Sequence, residues 1–189
     1  MVYMNINEIE EKLSQVLKPG RYRHSQGVAY TAANMAAVFD QDTEKAFRAG
    51  MLHDCAKGYS LKEQEGFCRT YGICLDDILP DSPQLMHSAL APHIAEEFYQ
   101  EKDPDILSAI ECHTTGKPGM KPLEQIIFIA DYIEPNRKMI PGLPAVRRLA
   151  FQDLDLCTRT ILKNTIEYLE SQGQKIGHET IETYEYYQT

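Results

Sequence analysis

The apolar positions of this chain recur with helical spacing almost from end to end. Ile6, Ile9, Leu13, Val16 and Leu17 fall on one helical face, and Pro19-Gly20 stops that first helix. A second helix is predicted from about Tyr22 to Phe39, rich in alanine and therefore able to pack closely against a neighbour. Asp42 is placed to cap a third, which carries Ala46, Ala49 and Leu52 and ends near Lys57-Gly58. Ser60-Leu61-Lys62-Glu63 has the form of a capping box, and Gly72 is a fitting stop for the helix it opens. Pro83 opens a helix through His87 to Phe98, and Asp103-Pro104 starts another that reaches Cys112. The stretch from Thr114 to Pro122 holds Gly116, Pro118, Gly119 and Pro122 and is expected to be a loop. Helix returns over Leu123–Ile133 until Pro135, then over about Asp153–Glu170 until Gly173, with a short amphipathic tail helix from His178. Strand-like alternation is nearly absent, so the expected fold is all-α: a single helical bundle spanning residues 1–189.

Composition narrows the function classes. With 189 residues, 43% apolar and 25% charged, the chain can bury a sizeable core without disulfides or a structural metal. Any metal site is then expected to serve function. The formal net charge of -9 repels a polyphosphate backbone, which argues against a nucleic-acid binder but leaves room for a small anionic substrate met by local positive charge. Five cysteines, an odd number with no CxxC, point to reduced thiols and a cytoplasmic setting. The acidic start MVYMNINEIEEKL is unlike a signal peptide, and the most apolar run, Ile126 to Ala130, is too short to cross a bilayer.

The candidate chemistry lies in the histidines and two aspartates. His24 begins a predicted helix, His53-Asp54 closes one, His87 lies early in another, and His113 ends one just before the Gly/Pro loop. Asp131 sits inside the apolar run Ile126 to Ile133, where a carboxylate will be partly buried and so must be paired or metal-bound. Imidazole with carboxylate suits borderline metals such as iron, manganese, cobalt and zinc. Adjacent side chains on a helix diverge by about 100°, so a site using both His53 and Asp54 requires a local distortion or an aspartate that bridges two ions. With Asp54 bridging, His24, His53 and Asp131 serve one metal and His87 and His113 the other, about 3.5–4 Å apart, so that a bridging hydroxide can attack phosphorus. His93 and His178 fall outside this set.

The order H…HD…H…H…D resembles the signature of the HD-domain superfamily of metal-dependent phosphohydrolases. The strings Arg23-His24-Ser25, Leu52-His53-Asp54-x-x-Lys57, His87-Ser88-Ala89, HTTGKPGM from His113 and ADYIEPNR from Ala130 are similar to the YqeK-type HD hydrolases, over about Arg21 to Asn164. One departure is that the third histidine is followed by Ser88-Ala89, with Pro92 later, in place of His-Ala-Pro. The resemblance implies a symmetrical bis(5′-nucleosyl)-tetraphosphatase that splits diadenosine tetraphosphate into two ADP. It also implies a two-metal site, most often iron with manganese as an alternative, metal ligands His24, His53, Asp54, His87, His113 and Asp131, and a homodimer.

Around that centre, Lys57 lies one turn beyond His53 and is expected to meet phosphate as a point charge, acting in catalysis with Asp54. Arg137 is placed for a bidentate phosphate clamp with Asn136 in support. Thr114, Gly116 and Lys117 offer hydroxyl, close backbone approach and charge beside His113, and Arg23 adds a weaker candidate beside His24. Tyr22, Tyr30, Tyr59 and Tyr132 are candidates for stacking on a base. Competing expectations are another HD-type enzyme, such as a nucleotidase or guanosine tetraphosphate hydrolase, and a nucleotide sensor without turnover.

Overall fold

The computed structural model describes residues 4–74 and 85–188, and among them ten α-helices and no strand. The helices are α1 (Ile6–Val16), α2 (Pro19–Val38), α3 (Thr43–Leu52), α4 (Leu61–Tyr71), α5 (Met86–Tyr99), α6 (Pro104–Glu111), α7 (Pro122–Ile133), α8 (Leu143–Leu149), α9 (Leu154–Ser171) and α10 (His178–Tyr186). A 3-10 turn, Cys55–Gly58, joins α3 to the approach to α4. The expected helix start at Pro83 lies outside the described residues. None of the described helices is long and apolar enough to cross a membrane.

Local chemistry fixes most helix ends. Asp42 accepts from the backbone N–H of Glu44 and Lys45, each at 2.9 Å, and opens α3. The Ser60/Glu63 capping box forms, and Gly72 closes α4 in the left-handed region at φ 71°. Asp103 caps α6 ahead of Pro104. Pro19 acts differently from its expected role as a stop. It is the first residue of α2, where its fixed φ suits a helix and its missing N–H costs nothing. The helix therefore starts three residues earlier than Tyr22, which places Arg21 on it one turn before His24.

One apolar cluster runs through the bundle, with Ile9 and Leu13 of α1, Val28 and Met35 of α2, Leu90 and Ile94 of α5 and Ile126, Ile127 and Ile129 of α7 all buried. Helices α2 and α3 pack most extensively, and α7 lies against both, against α6 and against α9. The α2–α3 crossing is close because Gly50 has no side chain: a Cβ there would sit 2.6 Å from the Ala29 Cα. Helix α8, which the apolar pattern does not announce, follows Gly142 at φ 84° and buries Leu143 and Val146. Its Arg147 donates to the carbonyls of Ile133 (2.8 Å) and Glu134 (2.9 Å). It thereby satisfies the C-terminal end of α7, which Pro135 prevents from continuing.

Candidate metal centre

The α-helix expected to reach Lys57-Gly58 ends at Leu52. His53 follows in helical conformation, and Asp54 leaves it at φ -107°, ψ 17° before the 3-10 turn. This break is the distortion that an adjacent His-Asp pair needs in order to share one site. Both residues are buried, with relative exposure of 0% for His53 and 1% for Asp54.

Six side chains from five segments meet here. His24 comes from the first turns of α2, His53-Asp54 from the end of α3, His87 from the start of α5, His113 from just beyond α6 and Asp131 from α7. His24 Nε2 lies 2.9 Å from Asp131 Oδ1 and 3.3 Å from His53 Nε2. His87 Nε2 lies 3.2 Å from His113 Nε2. Asp54 stands between the two groups. Its Oδ2 is 3.3 Å from His53 Nε2 and 3.7 Å from His24 Nε2. Its Oδ1 is 3.5 Å from His87 Nε2 and 3.6 Å from His113 Nε2. His24, His53 and Asp131 form one set of donors able to hold an ion, and His53, Asp54 and His113 another.

The tautomers follow from the partners. His53 Nδ1 donates to the Gly50 carbonyl at 2.7 Å, and His113 Nδ1 to the Ile110 carbonyl at 2.6 Å. A carbonyl can only accept, so in each ring the Nε2 lone pair is aimed into the cluster. Asp54 Oδ1 is buried and makes no hydrogen bond, although the Lys57 Nζ stands 2.9 Å away. Lone pairs and carboxylate oxygens facing one another at these separations suit a cation among them, and imidazole with carboxylate is a donor set for divalent metals.

Three protein cations edge the carboxylates. Arg21 Nη1 bonds Asp54 Oδ2 at 2.7 Å, and Lys57 approaches Oδ1. Arg137 donates to the Asp131 carboxylate at 2.5 Å and, through Nε, to the Asp131 carbonyl at 2.7 Å. Burial alone would raise the Asp54 and Asp131 pKa values, but the neighbouring imidazoles and these cations hold both carboxyls well below the usual range. Burial pushes the His53 imidazole below its ordinary value, more strongly than the adjacent carboxylates raise it. The sign for stability follows. Below pH ~6.5 the unfolded chain takes up a proton at His53 that the folded chain resists, so ΔG of unfolding falls as pH drops. Denaturant titrations of chelator-treated protein are expected to give lower stability at pH 5 than at pH 7, and His53→Gln is expected to flatten that slope.

Two residues absent from the sequence reading belong to the site. One is Arg21. The other is Glu134, which is 1% exposed and whose Oε1 accepts from His24 Nδ1 at 3.0 Å. Its Oε2 accepts from the Asn136 backbone N–H (2.6 Å) and side-chain amide (2.9 Å). Gly27, one turn beyond His24, makes room for it: a Cβ there would lie 2.3 Å from Glu134 Oε2. Asn136 thus supports Glu134, whereas the sequence reading paired it with Arg137.

The remaining sequence candidates are placed as follows. The Thr114 hydroxyl is 3.0 Å from His113 Nε2 and 3.4 Å from His87 Nε2. Lys117 is tied to buried Glu124 and to the Ser108 hydroxyl, each at 2.7 Å. Gly116, at φ 67°, faces α10, where a Cβ would lie 2.8 Å from Thr183 Cγ2. Its lack of a side chain serves helix packing. Arg23 is exposed, and its carbonyl takes a 3.5 Å contact from Asn136. His93 stacks on Tyr71, and His178 is exposed beside Glu182, both apart from the cluster. All five cysteines are free thiols, Cys74 alone exposed.

The HD domain family matches residues 21–136, which begin at Arg21 and take in every member of the cluster. The chain belongs to the HD-domain family. Within this family it is 39% identical to the symmetrical bis(5′-nucleosyl)-tetraphosphatase of Halalkalibacterium halodurans, over 92% of this chain and 94% of that one. The enzyme of the same name from Bacillus subtilis is 36% identical, with 96% of each covered. A solved structure, that of a predicted HD superfamily hydrolase involved in NAD metabolism from Clostridium acetobutylicum, superposes with a TM-score of 0.93 at 37% identity, covering 98% of both chains.

Proposed function

We propose that this HD-domain protein hydrolyses dinucleoside tetraphosphates symmetrically, cleaving between the two central phosphates so that diadenosine tetraphosphate yields two ADP. The observation that carries this reading is the position of Asp54, whose two carboxylate oxygens each face a different pair of imidazoles. In this reading His24, His53 and Asp131 would hold one ion, His87 and His113 would hold a second, and Asp54 would serve both. The names carried by the similar enzymes of Halalkalibacterium halodurans and Bacillus subtilis supply the substrate class.

A pair of iron ions, or manganese, would supply a water acidified at neutral pH as nucleophile and neutralise phosphoryl oxygens in the in-line transition state. The protein's own residues supply the rest. Asp54 and Asp131 are held ionised by their neighbours and so remain ligands across the neutral range. Arg21, Lys57 and Arg137 each carry N–H donors beyond those used on the carboxylates, and these can turn to phosphate oxygens at the same edge. The Thr114 hydroxyl adds a neutral donor on the His87/His113 side. Lys117 and Asn136, engaged with Glu124 and Glu134, act in this scheme by holding structure, and Arg23 stands at the periphery.

The test is product identification with protein purified anaerobically and analysed for metals. Diadenosine tetraphosphate is expected to give ADP as sole nucleotide product, at two per substrate. AMP plus ATP would overturn the symmetric cleavage. Bound nucleotide without product over hours would favour a sensor, and faster turnover of nucleoside monophosphates or guanosine tetraphosphate would favour another HD-type enzyme.

A further inference from the structure

Helix α7 ends at Ile133, with Glu134 as its cap and Pro135 next. The turn that follows carries three groups that serve the cluster. Glu134 meets His24, Asn136 holds Glu134, and Arg137 reaches Asp131. The backbone here has lost its helical partners. Pro135 has no N–H to give the Asp131 carbonyl, which accepts from Arg137 Nε at 2.7 Å instead. The Asn136 N–H goes to the Glu134 carboxylate, and the Arg137 N–H to the Glu134 carbonyl at 3.1 Å. Among the described residues the Ile133 carbonyl receives no backbone donor.

Arg147 of α8 closes this gap. Its Nε donates to the Ile133 carbonyl at 2.8 Å and its Nη2 to the Glu134 carbonyl at 2.9 Å. A planar guanidinium can hold two acceptors at a fixed spacing, which a lysine ammonium cannot do. Helix α8 has anchorage of its own, since it buries Leu143 and Val146 and packs against α9 as well as α7. It therefore presents the guanidinium from a footing that α7 does not supply. Packing on the outer side leaves room at the turn. A cavity of about 580 Å³ lies there, lined by Thr31 and Val38 of α2, by Ile133 and Pro135, and by Arg147 and Phe151.

We propose that Arg147 is a positioning residue for the metal centre. It fixes the two carbonyls at the end of α7 and so sets where the Glu134 carboxylate and the Arg137 side chain stand. Through Glu134 it sets the orientation of His24, and through Arg137 that of Asp131. The proposal rests on the reading of the cluster as a metal site.

The experiment is competition for manganese between a chelator and variants whose circular dichroism matches that of the natural protein. Arg147→Met keeps an apolar stem and removes both donors. It is expected to weaken manganese binding about 3- to 10-fold, the worth of about one hydrogen bond. Arg148→Met, at an exposed neighbour on the same helix, is expected to leave the affinity natural. A double-variant cycle separates action through Glu134 from a general loosening of the fold. In a Glu134→Gln background, where His24 has already lost its carboxylate partner, Arg147→Met is expected to cost less than about twofold more. Arg147→Lys keeps the charge and one donor and is expected to retain more affinity than Arg147→Met. The same cycle run with Arg147→Lys decides the matter if Arg147→Met does not fold. Natural affinity in both Arg147 variants overturns the proposal. So do losses that multiply in the double variant, or an equal loss in Arg148→Met, since either would mean that α8 acts on stability alone. Failure of the metal reading itself is distinguishable, because the natural protein would then take up no manganese.

Discussion

Asp54→Ala is expected to lower turnover of diadenosine tetraphosphate by about 10³-fold or more, because the lost carboxylate turns one oxygen to each half of the cluster. Several kcal/mol of transition-state stabilisation depend on two cations held at a fixed separation. Alanine leaves the two imidazole sets with no carboxylate between them. The fold itself should survive. Arg21 and Lys57, the cations left behind, are 36% and 31% exposed and can be rehydrated, and the 3-10 turn is held by backbone bonds that alanine keeps. Thermal melts separate the two effects. For the natural sequence, manganese at 100 times its Kd should add about 2.7 kcal/mol, or roughly 5–10 °C for a chain of this size. Asp54→Ala should melt near the chelated natural protein and gain little from added metal. Near-normal turnover, or an undiminished metal-induced shift, would remove Asp54 from its bridging position.

Short-range signals made most of the helices legible. Asp42, Asp103 and the Ser60/Glu63 box each act within four residues, and the structure places helix ends where they predict. The six cluster residues were legible because they sit at helix ends or in strings that match a family. What escaped depends on how helices cross. Glu134 reads locally as the residue that ends α7 before Pro135, and its aim at His24 exists only because α2 and α7 pack together with Gly27 at the contact. Arg21 was hidden by taking Pro19 as a terminator when it begins α2. Helix α8 has only seven residues and two fully buried apolar side chains, too little periodicity to announce itself. Gly116 and Lys117 show how local partners complicate such a reading. Glycine and lysine beside His113 suggest a phosphate loop, and the structure adds partners that the local sequence does not announce: α10 packs on Gly116 and Glu124 pairs with Lys117.

Glu134→Gln is expected to weaken metal binding about 10- to 100-fold, the usual cost of losing the group that orients a ligating histidine. The reasoning is a count of acceptors. Oε1 must accept from His24 Nδ1, while Oε2 accepts two N–H bonds from Asn136. A carboxylate meets both demands. Glutamine offers one carbonyl and one NH2, so in either orientation a donor faces a donor at a buried site. Either His24 loses the partner that fixes its tautomer and leaves Nε2 directed at Asp131, or Asn136 detaches and the chain after Pro135 shifts. Gly27→Ala approaches the same bond from the other side, since its Cβ would meet Oε2 at 2.3 Å and displace the carboxylate without removing it. Both variants should show weaker metal affinity by competition with a chelator. In Glu134→Gln, turnover should be restored in part by excess metal, which a general loss of folding would not allow. If chelator competition gives natural affinity for both, His24 is oriented by the packing of α2 alone, and Glu134 is a buried carboxylate that stabilises the turn at Asn136.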